Sequence, residues 1–112
     1  MQGDRNLVIL AGKLKYAEYS QVTNDYPRFT AKLEVKKCAE DLGGTATRWA
    51  TDLIGICAWG QLADAMRDLQ DGDRVQVTGT LVSRSYQGLC RKCATPATRY
   101  WYEVLIDNFV VV

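Results

Sequence analysis

The feature that most constrains this chain is the run from Trp49 to Val82, in which an amphipathic segment lies between two stretches of different period. Leu62, Ala65, Met66 and Leu69 fall at i, i+3, i+4 and i+7, with Asp64, Arg67, Asp68 and Gln70 on the other side, which predicts one short helix. An apolar run ending in Trp59-Gly60 precedes it. After Asp71-Gly72-Asp73, the segment Arg74-Val75-Gln76-Val77-Thr78-Gly79-Thr80-Leu81 alternates with period two, as a half-buried strand does. The order is therefore strand, helix, strand, with Gly72 in the left-handed conformation just past the helix end.

Two further strands precede this unit. Asn6 to Leu14 is apolar on both alternating faces, which suits a central strand or one at a subunit contact, and Gly12 marks a bend or a close approach of another backbone. Lys15 to Arg28 has no clean period and reads as a frayed strand end and a turn. Phe29 to Lys37 alternates, with Phe29, Ala31, Leu33 and Val35 on one face and Thr30, Lys32, Glu34 and Lys36 on the other. Cys38 to Thr47 holds a glycine pair and an acidic pair, and is expected to be a mobile hairpin loop. In the third strand, Trp49 to Trp59, alternation puts Trp49, Thr51, Leu53, Gly55, Cys57 and Trp59 on one face. The last strand, Arg99 to Val112, is rich in aromatic and β-branched residues, with Trp101, Glu103, Leu105, Asp107 and Phe109 sharing a face.

Five strands with one helix between the third and fourth is the element order of the five-stranded Greek-key barrel, the OB-fold, within the all-β class. At 112 residues the chain fits a single domain, residues 1–112. No apolar run reaches the roughly 20 residues of a membrane span. The start, Met-Gln-Gly-Asp-Arg, lacks the apolar stretch of a signal peptide, so a cytoplasmic setting is expected. A net charge of +1 means that any nucleic-acid binding must rest on local basic clusters and on stacking.

Several segments, in this order, resemble the bacterial single-stranded DNA-binding protein family. They are Asn6–Leu14, Trp59-Gly60-Gln61-Leu62-Ala63, Gly72–Leu81, Ser83-Arg84-Ser85-Tyr86 and Tyr100-Trp101-Tyr102-Glu103-Val104. The resemblance covers nearly the whole chain. It implies an OB-fold that assembles as a homo-oligomer, a tetramer or dimer, partly through the first strand, and that wraps single-stranded DNA over outward aromatics. Trp59 and Tyr86 match family aromatics that stack on bases, and Trp49 lies near a third at a longer spacing than the family pattern. A further family aromatic has no counterpart among Lys36 to Asp41. The sequence ends at Val112 on the last strand, without the linker and acidic tip that recruit repair and replication partners. That ending suits a phage, plasmid or mobile-element member, a primosomal relative, or a chain whose acidic tail has been removed.

The residues support the same site on physical grounds. Every base has a π-face, so an aromatic platform binds regardless of sequence, at about 1 to 3 kcal/mol per stacked base. Candidates for stacking are Trp49, Trp59, Tyr86 and Trp101; for phosphates they are Lys13, Lys32, Lys36, Arg48, Arg84 and Arg99. The competing reading is that strand tryptophans are core or interface residues and that the lysines form a solvated face. Cys90-Arg91-Lys92-Cys93 has the spacing of half a zinc site, yet Cys38 and Cys57 are distant and the chain has no histidine, so an ordinary reduced loop is the expectation and no metal or other cofactor is assigned. Without histidine, Ser-His-Asp and Cys-His catalysis is excluded, and no phosphate-binding glycine loop is present. Asp64, Asp68, Asp71 and Asp73 read as a solvated face paired with Arg67 and Arg74. Catalysis is not expected. Two functions remain: binding of single-stranded DNA in replication, recombination or repair, and an OB-fold interaction module in a replication, primosome or plasmid-transfer complex.

Overall fold

The computed structural model describes residues 3–23, 26–38, 49–89 and 92–112. Its elements are β1 (Val8–Thr23), β2 (Tyr26–Cys38), β3 (Trp49–Trp59), α1 (Gln61–Met66), β4 (Arg74–Leu89) and β5 (Pro96–Val111). The strands close into a barrel in the order β1-β2-β3-β5-β4, with β4 returning to β1. All pairs are antiparallel except β3 with β5. This is the expected OB-fold. No helix among the described residues is long and apolar enough to cross a membrane.

Alternation along each strand fills the barrel. Leu14, Phe29, Leu33, Ile56, Val75, Val77, Val104 and Ile106 are buried together, and α1 plugs one end with Ala63 and Met66. The helix is shorter than its apolar period suggested and differs in phase. Ala63 is buried, Ala65 is exposed, and Leu69 packs from the turn beyond the helix. A six-residue helix seated on a barrel mouth is positioned by the two strands it joins, so its own period carries little weight.

Three of the aspartates around the helix also differ from expectation: they accept hydrogen bonds, and among the described residues they form no ion pair with Arg67 or Arg74. Asp64 accepts from the Tyr19 hydroxyl at 2.6 Å, and Asp73 accepts from the Gln70 amide at 2.9 Å. Asp71 accepts from the amides of Tyr16 (3.2 Å) and Ala17 (2.8 Å). Gly72 has φ +95°, as predicted, and its amide reaches the Leu14 carbonyl at 2.9 Å, tying the α1–β4 turn to β1.

Two strands run further than the sequence pattern suggested. β1 continues past Lys15 because an extra residue is absorbed between the Lys15–Lys32 and Glu18–Thr30 pairs, a bulge in which Tyr16 takes φ 55°. β4 and β5 pair as a ladder from Val82–Glu103 to Leu89–Pro96, so β5 begins at Pro96, three residues before the Arg99 start of the expected last strand. A second bulge lies in β5, opposite the Thr78–Gly79 step of β4. It takes up Asp107, so that Phe109 pairs with Val77 and packs on the core instead of sharing the face of Trp101. The expected hairpin loop, Cys38 to Thr47, begins on the last residue of β2, and the rest of it lies outside the described residues.

Candidate nucleic-acid interface

Register places a continuous set of side chains on the outside of four strands. On β2 and β3, Arg28 lies opposite Trp59, Thr30 opposite Cys57 and Lys32 opposite Gly55. Cys57 lies in turn beside Leu105 of β5, and on the β4–β5 ladder Arg84 faces Trp101 and Tyr86 faces Arg99. Directly opposed residues in antiparallel strands project to the same side. Trp59, Arg28, Arg84, Trp101 and Tyr86 therefore belong to one outer surface.

That surface carries two aromatic pairs. Trp59 and Tyr26 meet with centroids 6.1 Å apart at 54°, and the Arg28 guanidinium lies 5.4 Å from the Trp59 ring centre. Tyr86 and Trp101 meet edge to face at 5.7 Å. Edge-to-face contact leaves ring faces open to a third partner. Trp59 is 38% exposed, Trp101 42% and Tyr86 50%, which is unlike core aromatics such as Phe29. Between the two pairs runs a cleft of about 250 Å³ lined by Arg28, Cys57, Trp59, Arg84, Trp101 and Glu103.

The electrostatics of this cleft are mixed. Arg84 donates from Nε to Oε1 of Glu103, and this hydrogen bond raises the Arg84 pKa above the ordinary arginine value. The Cys57 thiol is buried; desolvation first, then the Glu103 carboxylate, push its pKa up, so it stays a neutral thiol and is no nucleophile at neutral pH. Beyond the cleft, Lys15 pairs with Glu34 at 2.6 Å and Lys37 with Asp52 at 2.9 Å.

The sequence-selected residues divide as follows. Trp59, Tyr86, Trp101, Arg84 and Arg99 come together on this surface. Lys32 joins them over Gly55, its Nζ 3.4 Å from where a Gly55 Cβ would stand. Lys13 and Lys36 lie on the same side of the sheet but nearer Glu34, whose carboxyl is held below its usual pKa by the Lys15 hydrogen bond and by the charges of those two lysines. The backbone of Trp49 pairs with Cys38 at the far end of β3, and Arg48 and Cys90 lie outside the described residues. The Cys93 sulfur lies 2.8 Å from the Thr95 hydroxyl. Among the described residues no three metal-binding side chains cluster. Sequence reasoning missed Tyr26 and Arg28. Extending the Phe29–Lys37 alternation backwards by three residues would have put both on the outer face.

The family model for the single-strand binding protein family matches residues 5–111. The chain belongs to that family. No curated protein matches the chain. Members are non-enzymatic DNA-binding proteins, and membership implies binding of single-stranded DNA. The aromatic surface supplies what such a ligand requires: open ring faces, cations between them and a barrel that holds both in register.

Proposed function

We propose that the chain binds single-stranded DNA with little sequence preference, bases stacking on Trp59 and Tyr26 at one end of the cleft and on Tyr86 and Trp101 at the other. Arg28, Lys32, Arg84 and Arg99 take the phosphates between them. The observation that carries this reading is the pairing of two half-exposed aromatic clusters on one outer surface, with arginines in the intervening cleft. With a net charge of only +1, stacking supplies more of the affinity than bulk attraction does. The setting is replication, recombination or repair in the cytoplasm, with replication proteins as partners. A homo-oligomer, tetramer or dimer, is part of the proposal, since Leu7, just before β1, and Ile9, near its start, are 69% and 58% exposed and a second copy would cover them.

The test is a fluorescence titration with an unstructured oligothymidylate at low and moderate salt, beside a duplex control. Tryptophan quenching by the single strand, weak duplex binding and affinity falling with salt are expected. Absence of quenching and binding at low salt would favour a second reading, an interaction module for a protein partner. The observation behind that alternative is the other side of the β4–β5 hairpin, where Leu81, Leu89, Tyr100 and Tyr102 are exposed.

A further inference from the structure

Tyr16 occupies a position for which glycine is the low-cost choice. Its φ of 55° lies in the left-handed region, disfavoured for a bulky side chain, at the point where β1 takes up its extra residue. The conformation is held from 55 residues away, since both oxygens of Asp71 are committed to the amides of Tyr16 and Ala17. The ring is 70% exposed, and among the described residues it makes no aromatic contact and its hydroxyl no hydrogen bond. Strain at a bulge, held in place by a distant carboxylate and leaving a bulky aromatic ring open to solvent, is the pattern of a displayed ligand group.

Its surroundings extend the interface described above. The cleft between Trp59 and Trp101 shares Arg28 and Glu103 with a neighbouring cleft of about 270 Å³, whose floor at Gly55 has no side chain and whose rim carries Lys32 and Tyr16. Tyr16 then also lines a larger cleft of about 580 Å³, with Lys13, Lys15, Asp71 and Gly72. The three clefts thus form a chain from the β4–β5 hairpin to the α1–β4 turn, with a cation in each and an aromatic ring at the seam of the last two.

We infer that Tyr16 is a third stacking platform, on which a nucleobase of a longer single strand lies after the strand leaves Trp59, with Lys32 on one side and Lys13 and Lys15 on the other taking the flanking phosphates. The inference rests on the single-strand-binding reading and deepens it. It makes the interface a track that crosses from β3 onto β1, so that affinity rises with oligonucleotide length beyond what the first cleft accommodates. Lys15 is not a free cation, because Glu34 holds it; a phosphate at this end competes with that carboxylate.

The experiment is an affinity series with oligothymidylates from about 4 to about 16 nucleotides, the range of site sizes of single OB-folds, on the parent chain and on Tyr16→Gly, Tyr16→Asn and Tyr16→Phe. Glycine and asparagine accept a positive φ, so both variants keep the bulge, and Tyr16→Gly melts at or above the parent temperature. The expected result is that Y16G and Y16N bind the shortest strands as the parent does and the longest about tenfold more weakly, while Y16F follows the parent throughout. Parent-like affinity of Y16G and Y16N at every length would overturn the inference while leaving the first cleft intact. So would an equal loss at all lengths, which would place Tyr16 inside the first site. A parent chain that binds no single strand at low salt would remove the proposed function and this inference with it.

Discussion

Arg84 and Glu103 lie diagonally across the β4–β5 ladder, Arg84 opposite Trp101 and Glu103 opposite Val82, and their ion pair sits on the wall of the cleft that the two tryptophans border. The pair places a carboxylate in a groove read here as accepting phosphates. It also holds the Arg84 head against the cleft wall, beside the Cys57 thiol, instead of letting it extend into solvent. Arg84 is 41% exposed by side chain and Glu103 17%, so the pair adds little to stability. Its main consequence, on the proposed function, is for the charge that DNA would meet in the cleft.

Replacing Glu103 by Gln should therefore tighten binding at low salt and make it more salt-sensitive. Glu103 competes with the phosphate for Arg84 in the parent, so its neutralisation lets Arg84 serve the phosphate fully and steepens the plot of log affinity against log salt, by at most about 0.7 for a single strand. Thermal stability should change by less than about 1 kcal/mol, as for other exposed pairs. Titrations of parent and Glu103→Gln at three salt concentrations measure both effects. An unchanged slope would mean that Glu103 does not compete with a phosphate for Arg84.

Much of the barrel was legible because alternation is a local property. Phe29, Ala31 and Leu33 point inward as their spacing requires, and Trp59 and Cys57 point outward together with Gly55. The bulges were not legible. At Tyr16 the extra residue is fixed by Asp71, a partner far along the chain, and at Asp107 it is fixed by the register of β4 against β5. Each bulge reverses the parity that a sequence pattern assumes, which is why β1 seemed to fray after Lys15 and why Phe109 was placed on the wrong face. Arg28 shows the same limit in the site itself: its role follows from lying opposite Trp59, and cross-strand register is not written in either segment alone.

Gly12→Ala should be among the most damaging single substitutions in the chain. A Cβ there would stand 2.2 Å from the Glu34 carbonyl oxygen, and at Gly79 it would stand 2.1 Å from that of Leu105. Both obstacles are backbone in paired strands, so relief requires the ladder itself to shift. The cost should be at least the roughly 1–3 kcal/mol of an overpacked core. Gly3→Ala, where nothing lies within 4 Å, is the control. Chemical denaturation of Gly12→Ala, Gly79→Ala and Gly3→Ala checks the ranking, and a Gly12→Ala chain as stable as Gly3→Ala would contradict the close β1–β2 approach.

The Tyr19–Asp64 hydrogen bond ties β1 to α1 and makes stability depend on alkaline pH. Donating to Asp64, and being partly buried, raises the Tyr19 pKa above the ordinary tyrosine value. A raised folded-state pKa means that the contribution is fully present below the unfolded tyrosine pKa, about 10, and is lost as pH rises through the folded value. Tyr19→Phe should be less stable than the parent at neutral pH and should lose less on going to strongly alkaline pH. Denaturant midpoints for both chains across that range test the sign. Parallel pH profiles would show that the bond contributes nothing.

Alanine at both Trp59 and Tyr86 should weaken single-strand binding at least tenfold while leaving the barrel folded. Each removes one stacking surface, worth about 1 to 3 kcal/mol per base, and each ring is more than a third exposed, so little core packing goes with it. The loss should be largely insensitive to salt, because stacking releases no counterions. Arg28→Ala should behave differently. It removes a phosphate contact and the cation over Trp59 together, so its penalty should shrink as salt rises and the phosphate contribution is screened out. Comparing the two variants at low and high salt separates base stacking from charge in the cleft. Equal salt dependence in both would mean that Arg28 acts only by supporting the Trp59 ring.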